Sequence, residues 1–442
     1  MPLISTYKLD DPTDAARVED VLRKLRLDPR DLALSRGALA QQAAAVQQTL
    51  ADVAERGDAA VVDSARKFDD PAFTADQIRV TPQEMADAAA RVPADQMAAI
   101  RRAISQVREY QTHVMPQDPV VLQRESVELG LRFTPLDSAG LYFPGGKASY
   151  PSSLIHLAVP AQVAGVKRIA VCTPPSKYGR SDLVLAAAHE LKLTDVFRAG
   201  GAAAIAALAF GTATIPAVDK IVGPGNTYVQ LAKRAVAGCV GIDGYLGPSE
   251  VLVLADDAKG QPAFIAADMI AQAEHDPGSC FLLTTSARLA AAVEQELADQ
   301  LKQRQRSAAI EKSLRDDSAI VIGPDLDALI DLANRFAVEH VNLQTGCDTA
   351  VLKKLVHAGA VFAGPYSPVA AGDYVAGPSH CLPTNTTARF TSGISVYEFL
   401  KRGSVVRYER RGLQADAPAV VAMAQAEHLD GHAASVTVRV SD

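Results

Sequence analysis

The stretch RIAVCTPPSKYGRSDLVLAAAHELKLTDVFRAGGAAAIAALAFG, Arg168 to Gly211, sets the fold. It begins with a short β-rich run, RIAVCT, crosses a proline- and glycine-marked turn, and continues into the helical DLVLAAAHEL. A second short run, DVFRAGG, leads into AAIAALAFG, and the alternation repeats in DKIVGPGN and TYVQLAKRAVAG. Strands that alternate with helices imply parallel sheets joined by right-handed crossovers. The same rhythm restarts at SEVLVLAD (Ser249–Asp256). It runs through AFIAADMIAQAEH, CFLLTTS, ARLAAAVEQELADQLKQ, SAIVIGP, DLDALIDLANRF, HVNLQ and TAVLKKLVHAG to AVFAG. The fold class is therefore α/β, with two Rossmann-like lobes.

Upstream, residues from about 37 to 115 are helical in pattern, with Ala-rich faces at near 3.6 spacing, as in LAQQAAAVQQTLADVAERG. Downstream of about 393 the rhythm fails, and the tail from ISVYEFLKRG to ASVTVRVSD is too short to build its own core. It is expected to pack on another domain or another subunit. The expected organisation is an N-terminal arm (1–28), one lobe from 29–141 plus 250–393, a second lobe from 142–249, and a tail domain (394–442).

A chain of 442 residues with 48% hydrophobic content exceeds what a single core usually fills. The formal charge of -7 gives no basic footprint, so nucleic acid is an unexpected partner, and no Lys/Arg-rich amphipathic stretch marks a membrane surface. Five scattered cysteines without a CxxC pair argue against a disulfide framework, and Cys172 and Cys280 fall inside apolar strands, as inert core thiols do. The charged N-terminus and the lack of an apolar run of about 18 residues point to a soluble cytoplasmic protein.

Three glycine-rich turns follow expected strands: YFPGGK (Tyr142–Lys147), RAGGAAA (Arg198–Ala204) and VGPGNTY (Val222–Tyr228). Each permits close backbone approach to a phosphate, and each taken alone is equally readable as a tight turn. Three on one lobe point to a nucleotide. In DMIAQAEHDPG, Gln272 and His275 stand at i, i+3 near a helix end, where they either share a metal ion or simply cap the helix. The long loop PVAAGDYVAGPSHCLPTNTTARFTSG adds Asp373 and His380, and the tail adds Glu427 and His432. Gln, two His and Asp form a mixed N/O set suited to zinc. Three of the nine histidines directly follow glutamate: Glu274–His275, Glu339–His340 and Glu427–His428.

Together these motifs resemble the histidinol dehydrogenase family. The resemblance rests on YFPGGKASYPSS, TIPAVDKIVGPGNTYV, GPSEVLVLAD, QAEHDPGS, EHVNLQT, AGDYVAGPSHCLPTN, FTSGISVYEFLK and EHLDGH, in order along nearly the whole chain. It implies oxidation of L-histidinol through histidinal to L-histidine with two NAD reduced. It further implies zinc on Gln272, His275, Asp373 and His432, an acid–base pair in Glu339 and His340, and substrate contacts at Ser249, His380 and Glu427 beside the metal ligands and His340. Cofactor contacts are implied at Tyr142 and Asn226, and at Ala203, which stands where the family commonly has glutamine. A homodimer whose tail completes the partner's site is also implied. The chemistry needs a base for the hydroxyl proton and an activated water for the aldehyde, which assigns the shared base to His340 and water activation to Glu339. Taken without the resemblance, the residues also fit a zinc alcohol dehydrogenase for another small polar alcohol, or a zinc hydrolase.

Overall fold

The computed structural model describes residues 2–26, 28–117, 121–145, 148–244, 247–275 and 278–441. In chain order the strands are β1 (Ser5–Lys8), β2 (Val121–Arg124), β3 (Val127–Pro135), β4 (Ser138–Tyr142), β5 (Arg168–Thr173), β6 (Asp195–Arg198) and β7 (Lys220–Val222). They continue as β8 (Gly241–Ile242), β9 (Ser249–Ala255), β10 (Gly278–Thr284), β11 (Ala319–Ile322), β12 (His340–Gln344), β13 (Ala360–Ala363) and β14 (Leu400–Tyr408). Two parallel sheets result, β6-β5-β4-β7-β8 and β1-β11-β10-β9-β12-β13. In each, the first strand of the βα run lies centrally and the strand order reverses beside it, between β4 and β7 in one sheet and between β9 and β12 in the other. Such reversals open a crevice where crossing helices diverge.

The parallel strands read as apolar runs because both faces are covered. Leu252, Leu254, Phe281 and Val341 pack beneath Phe336, whereas Val251, Val253 and Leu282 pack on the other face against Ile265 and Met269. Helix Gly201–Phe210 is buried nearly all round and consists almost entirely of apolar residues.

The tertiary packing corrects the expected domain boundaries. Helices Leu39–Arg56 and Asp58–Phe68 lie on the five-stranded sheet, with Val46, Leu50, Val53 and Val61 in one core with Ala204, Ile205 and Leu208. Helix Ala94–His113 likewise packs through Ile100, Ala103 and Val107 against Leu154 and Leu157. The region 29–141 therefore does not group with 250–393, and β4, which precedes residue 142, is the central strand of the other lobe. Periodicity identifies which face of a helix is apolar but not which sheet covers it. Within the expected arm, β1 is the edge strand of the six-stranded sheet, paired with β11. The tail is anchored by β14, which runs antiparallel along the whole of β3 in a small sheet β14-β3-β2. No helix among the described residues is long and apolar enough to cross a membrane.

Candidate active site

The acid–base candidates come from the amino end of β12, beside the amino end of β9 at the reversal point of the six-stranded sheet. Glu339 and His340 are only 5% and 4% exposed. The Glu339 Oε2 lies 3.4 Å from His340 Nδ1 and accepts the backbone N–H of Glu250 at 3.0 Å. In return the N–H of Glu339 donates to Glu250 Oε2 at 3.3 Å. His340 Nδ1 is also 3.0 Å from the carbonyl oxygen of Glu250, which can only accept, so Nδ1 carries a proton and the neutral ring presents its lone pair at Nε2. Burial opposes a charged imidazole, but the carboxylates of Glu339 and Asp373 and the Glu250 carbonyl outweigh it, pushing His340 up to about 9. The Glu250 carboxyl is pushed up to about 8, chiefly by burial and further by Glu339.

His380 sits on the loop that joins the lobes. Its Nδ1 faces the Asp373 carbonyl at 2.9 Å and lies 3.9 Å from that residue's Oδ1, while its Nε2 is 3.0 Å from Ser153 Oγ across the lobe boundary. The ring stacks on buried His156 at 4.6 Å between centroids. Burial and the neighbouring imidazole hold His380 well below the usual histidine range. Burial likewise brings His156 down to about 4. Asp373 is the penultimate residue of the short helix Val369–Tyr374, and its carboxyl is raised by burial, an effect countered by His340 and His275. These imidazoles and the carboxylate therefore share one electrostatic environment.

Gln272 is the penultimate residue of helix Pro262–Ala273, and its buried Nε2 has no hydrogen-bond partner. His275 lies just beyond, exposed, with its N–H on the Gln272 carbonyl at 3.3 Å. It lines a cleft of about 440 Å³ with Tyr150, Ser152, Arg306 and Tyr374. The expected helix stop at Asp276 and Pro277 lies outside the described residues. Ser249 opens β9, paired with Gly278. Glu427 and His432 are elsewhere: they line a mostly apolar cleft of about 390 Å³ built only from tail residues, including Val420, Met423 and Leu429. Among the described residues, no group of three or more His, Cys, Asp or Glu is placed to hold a metal. The four expected zinc ligands thus do not converge within one chain, because His432 belongs to a helical hairpin that stands away from the other three.

The expected cofactor residues gather at the opposite kind of strand end. Tyr142 closes β4, and its hydroxyl accepts the N–H of Gly201 at 3.2 Å. Gly223 follows β7 with φ +123°, and a Cβ there would overlap the Tyr142 carbonyl oxygen, so only glycine fits the turn. The buried ion pair Lys233–Asp243 clamps it: Lys233 Nζ donates to the Gly223 carbonyl at 3.0 Å, and the Gly223 N–H donates to Asp243 Oδ2 at 2.6 Å. Asn226 caps helix Thr227–Val236, its Oδ1 accepting from Val229 N–H at 3.2 Å. Ala203, the residue expected to touch the cofactor, is 1% exposed and packs in the same apolar core cluster as Tyr142. Gly146 and Lys147 of the first turn lie outside the described residues. All five cysteines are free, and burial raises the thiols of Cys172, Cys280 and Cys381.

The profile of the histidinol dehydrogenase family matches residues 34–440. The chain belongs to the histidinol dehydrogenase family. It is 46% identical over 406 residues to a histidinol dehydrogenase of Caulobacter vibrioides, covering 92% of this chain and 94% of that protein. It is 45% identical over 396 residues to that of Gluconobacter oxydans, covering 89% and 92%. The crystal structure of histidinol dehydrogenase from Elizabethkingia anophelis superposes with a TM-score of 0.91 at 32% identity, covering 100% of this chain and 98% of that one. Members of this family are oxidoreductases, which fits a site built around a buried base. The residues that sequence reading passed over are Glu250, Ser153 and His156. Their only signal was a polar side chain set in an apolar run, SEVLVLAD for the first and SSLIHLAV for the other two.

Proposed function

We propose that the chain oxidises L-histidinol through L-histidinal to L-histidine, reducing two NAD in succession, in histidine biosynthesis in the cytoplasm. The observation that carries this reading is the buried Glu339–His340 pair, whose Nδ1 proton is tied to the Glu250 carbonyl, so that the proton lost when the imidazolium is neutralised leaves Nε2 as the base. An alcohol cannot release hydride until its hydroxyl proton is taken, and His340 Nε2 is the group set up to take it. In the second oxidation the hydrated aldehyde again presents a hydroxyl, and the same nitrogen removes its proton as the second hydride leaves. Glu339, against the same imidazole, stabilises each imidazolium as it forms. His380, held neutral by burial, offers a hydrogen bond to the substrate rather than a charge.

Zinc fits the donor set in part. Gln272 is buried with its amide nitrogen unpartnered, so its amide oxygen would be the ligand, and Asp373 has a half-buried carboxyl in the electrostatic reach of His275 and His340. These residues would hold the ion through Gln272, His275 and Asp373, with His432 supplied by a second copy of the chain. When bound, zinc supplies a fixed anchor for the substrate's imidazole and amine. The homodimer is supported by the tail hairpin, which carries exposed Val420, Met423 and Val438. Tyr142 and Asn226, at the reversal point of the five-stranded sheet, are the residues proposed to face NAD, and Ser249 and Glu427 the further substrate contacts. Purified protein with L-histidinol and NAD should yield two reduced nicotinamides per L-histidine. Turnover of other small alcohols but not histidinol, or hydrolysis of an ester without cofactor reduction, would replace this reading.

A further inference from the structure

Glu250 is a fully buried carboxylate at the second position of β9, and nothing in the chemistry above uses its side chain. It is nevertheless the most connected group at the site. Oε1 accepts the N–H of Asn385 at 2.7 Å, and Oε2 accepts the N–H of Glu339 at 3.3 Å. Its own N–H reaches Glu339 Oε2, and its own carbonyl faces His340 Nδ1. Asn385 belongs to the loop that carries His380 and bonds onward through its Nδ2 to the Leu25 carbonyl at 3.0 Å, while neighbouring Thr384 accepts the N–H of Gly247 at 2.7 Å. One side chain therefore fastens β12 and the lobe-joining loop to the start of β9. A carboxylate buried this deeply is unfavourable unless its oxygens are satisfied, and an apolar residue would serve packing at lower cost. Its retention at this spot needs a reason other than stability.

We infer that Glu250 is a positioning residue for the Glu339–His340 pair, holding residue 339 so that its carboxylate stays against the imidazole and His340 keeps its proton on Nδ1. Without the Oε2 bond, the backbone N–H of residue 339 loses its tie to β9, and the 3.4 Å contact and the 3.0 Å carbonyl contact of His340 both lie next to that tie. The inference deepens the proposed reaction and rests on it for the kinetic readout. The tautomer of His340 is a readout that needs neither substrate nor cofactor.

The test uses Glu250→Gln and Glu250→Asp in the full chain. Glutamine preserves volume but has one acceptor oxygen, so one of the two backbone donors meets an NH₂ group; aspartate keeps the carboxyl group and both oxygens but is one methylene short. In Glu250→Gln, kcat for histidinol and for histidinal should fall together by about 10- to 100-fold, as is usual on losing an outer-shell partner, with KM changed by less than about threefold. Glu250→Asp should recover part of the loss. In ¹⁵N-histidine-labelled, metal-free protein held alkaline enough to neutralise His340, the imidazole should show Nδ1–H in the parent and a mixture of tautomers in Glu250→Gln. An unchanged kcat per folded enzyme with only a lowered melting temperature, a change in KM alone, or an unaltered tautomer would each overturn the inference. If the parent protein does not oxidise histidinol at all, the proposed reaction fails instead, and the tautomer comparison alone then decides the role of Glu250.

Discussion

Replacing Glu339 by Gln keeps the side chain's shape and removes one charge 3.4 Å from His340 Nδ1. At that separation and an effective dielectric of about 20, the lost attraction is roughly 5 kcal/mol, an upper value for the pair. The net effect on His340 is smaller, because raising an imidazole from 6.5 to about 9 against the cost of burial corresponds to roughly 3 kcal/mol. With the charge gone and the burial retained, the imidazole should titrate at or below its ordinary 6.5, a fall of about two pH units or more. The assay is an NMR pH titration of His340 in ¹⁵N-labelled protein stripped of metal, read against Glu339→Gln under the same conditions. A parallel kinetic assay supplies histidinol and histidinal separately. Because Glu339 touches the shared base, both half-reactions should fall together, by a factor within the roughly 10²–10⁴ that a general base contributes. A His340 titration unmoved by the substitution would refute the electrostatic argument. Loss confined to the histidinal step would return Glu339 to an independent role as the base that activates water.

The pH dependence of folding should have two limbs in metal-free protein. His340 is raised from 6.5 to about 9 and Glu250 from 4.5 to about 8, so the folded state binds these protons more tightly than the unfolded chain; their contribution is complete at low pH and is lost as pH climbs through 8 to 9. His156 is lowered from 6.5 to about 4, so it stabilises above 6.5 and that part is lost as pH falls toward 4; His156→Phe should flatten the acid limb in urea denaturation, and an unchanged limb would exclude His156 as its source. Ala203→Gln should destabilise the five-stranded lobe by about 1–3 kcal/mol, because it forces an amide into a filled apolar core, with denaturant midpoint as the measure; undiminished stability with tighter NAD binding would show that the site opens toward the cofactor. Mixing His275→Ala with His432→Ala protein under subunit exchange should restore activity through hybrid dimers with one complete site; no recovery in verified hybrids would mean that His432 acts elsewhere.

The alternation seen in Arg168–Gly211 and again from Ser249 determined the α/β class, because a covered parallel strand and its crossover helix must both be apolar and of characteristic length. Sequence also marked Glu339, His340, Asp373 and His380, each a titratable side chain placed where apolar residues or a tight loop were expected. What it left open was partnership. An apolar helix face fits either sheet equally well, and only packing assigned residues 39–113 to the five-stranded lobe. The glycine turns pointed to the carboxyl ends of strands, whereas the acid–base pair stands at the amino end of β12, beside that of β9, where no local pattern announces a site. Glu250 shows the reason most directly. One carboxylate among valines and leucines reads as an exception to a strand, and its meaning lies in residues 339, 340 and 385, which are distant in sequence and meet it only after the sheet has formed.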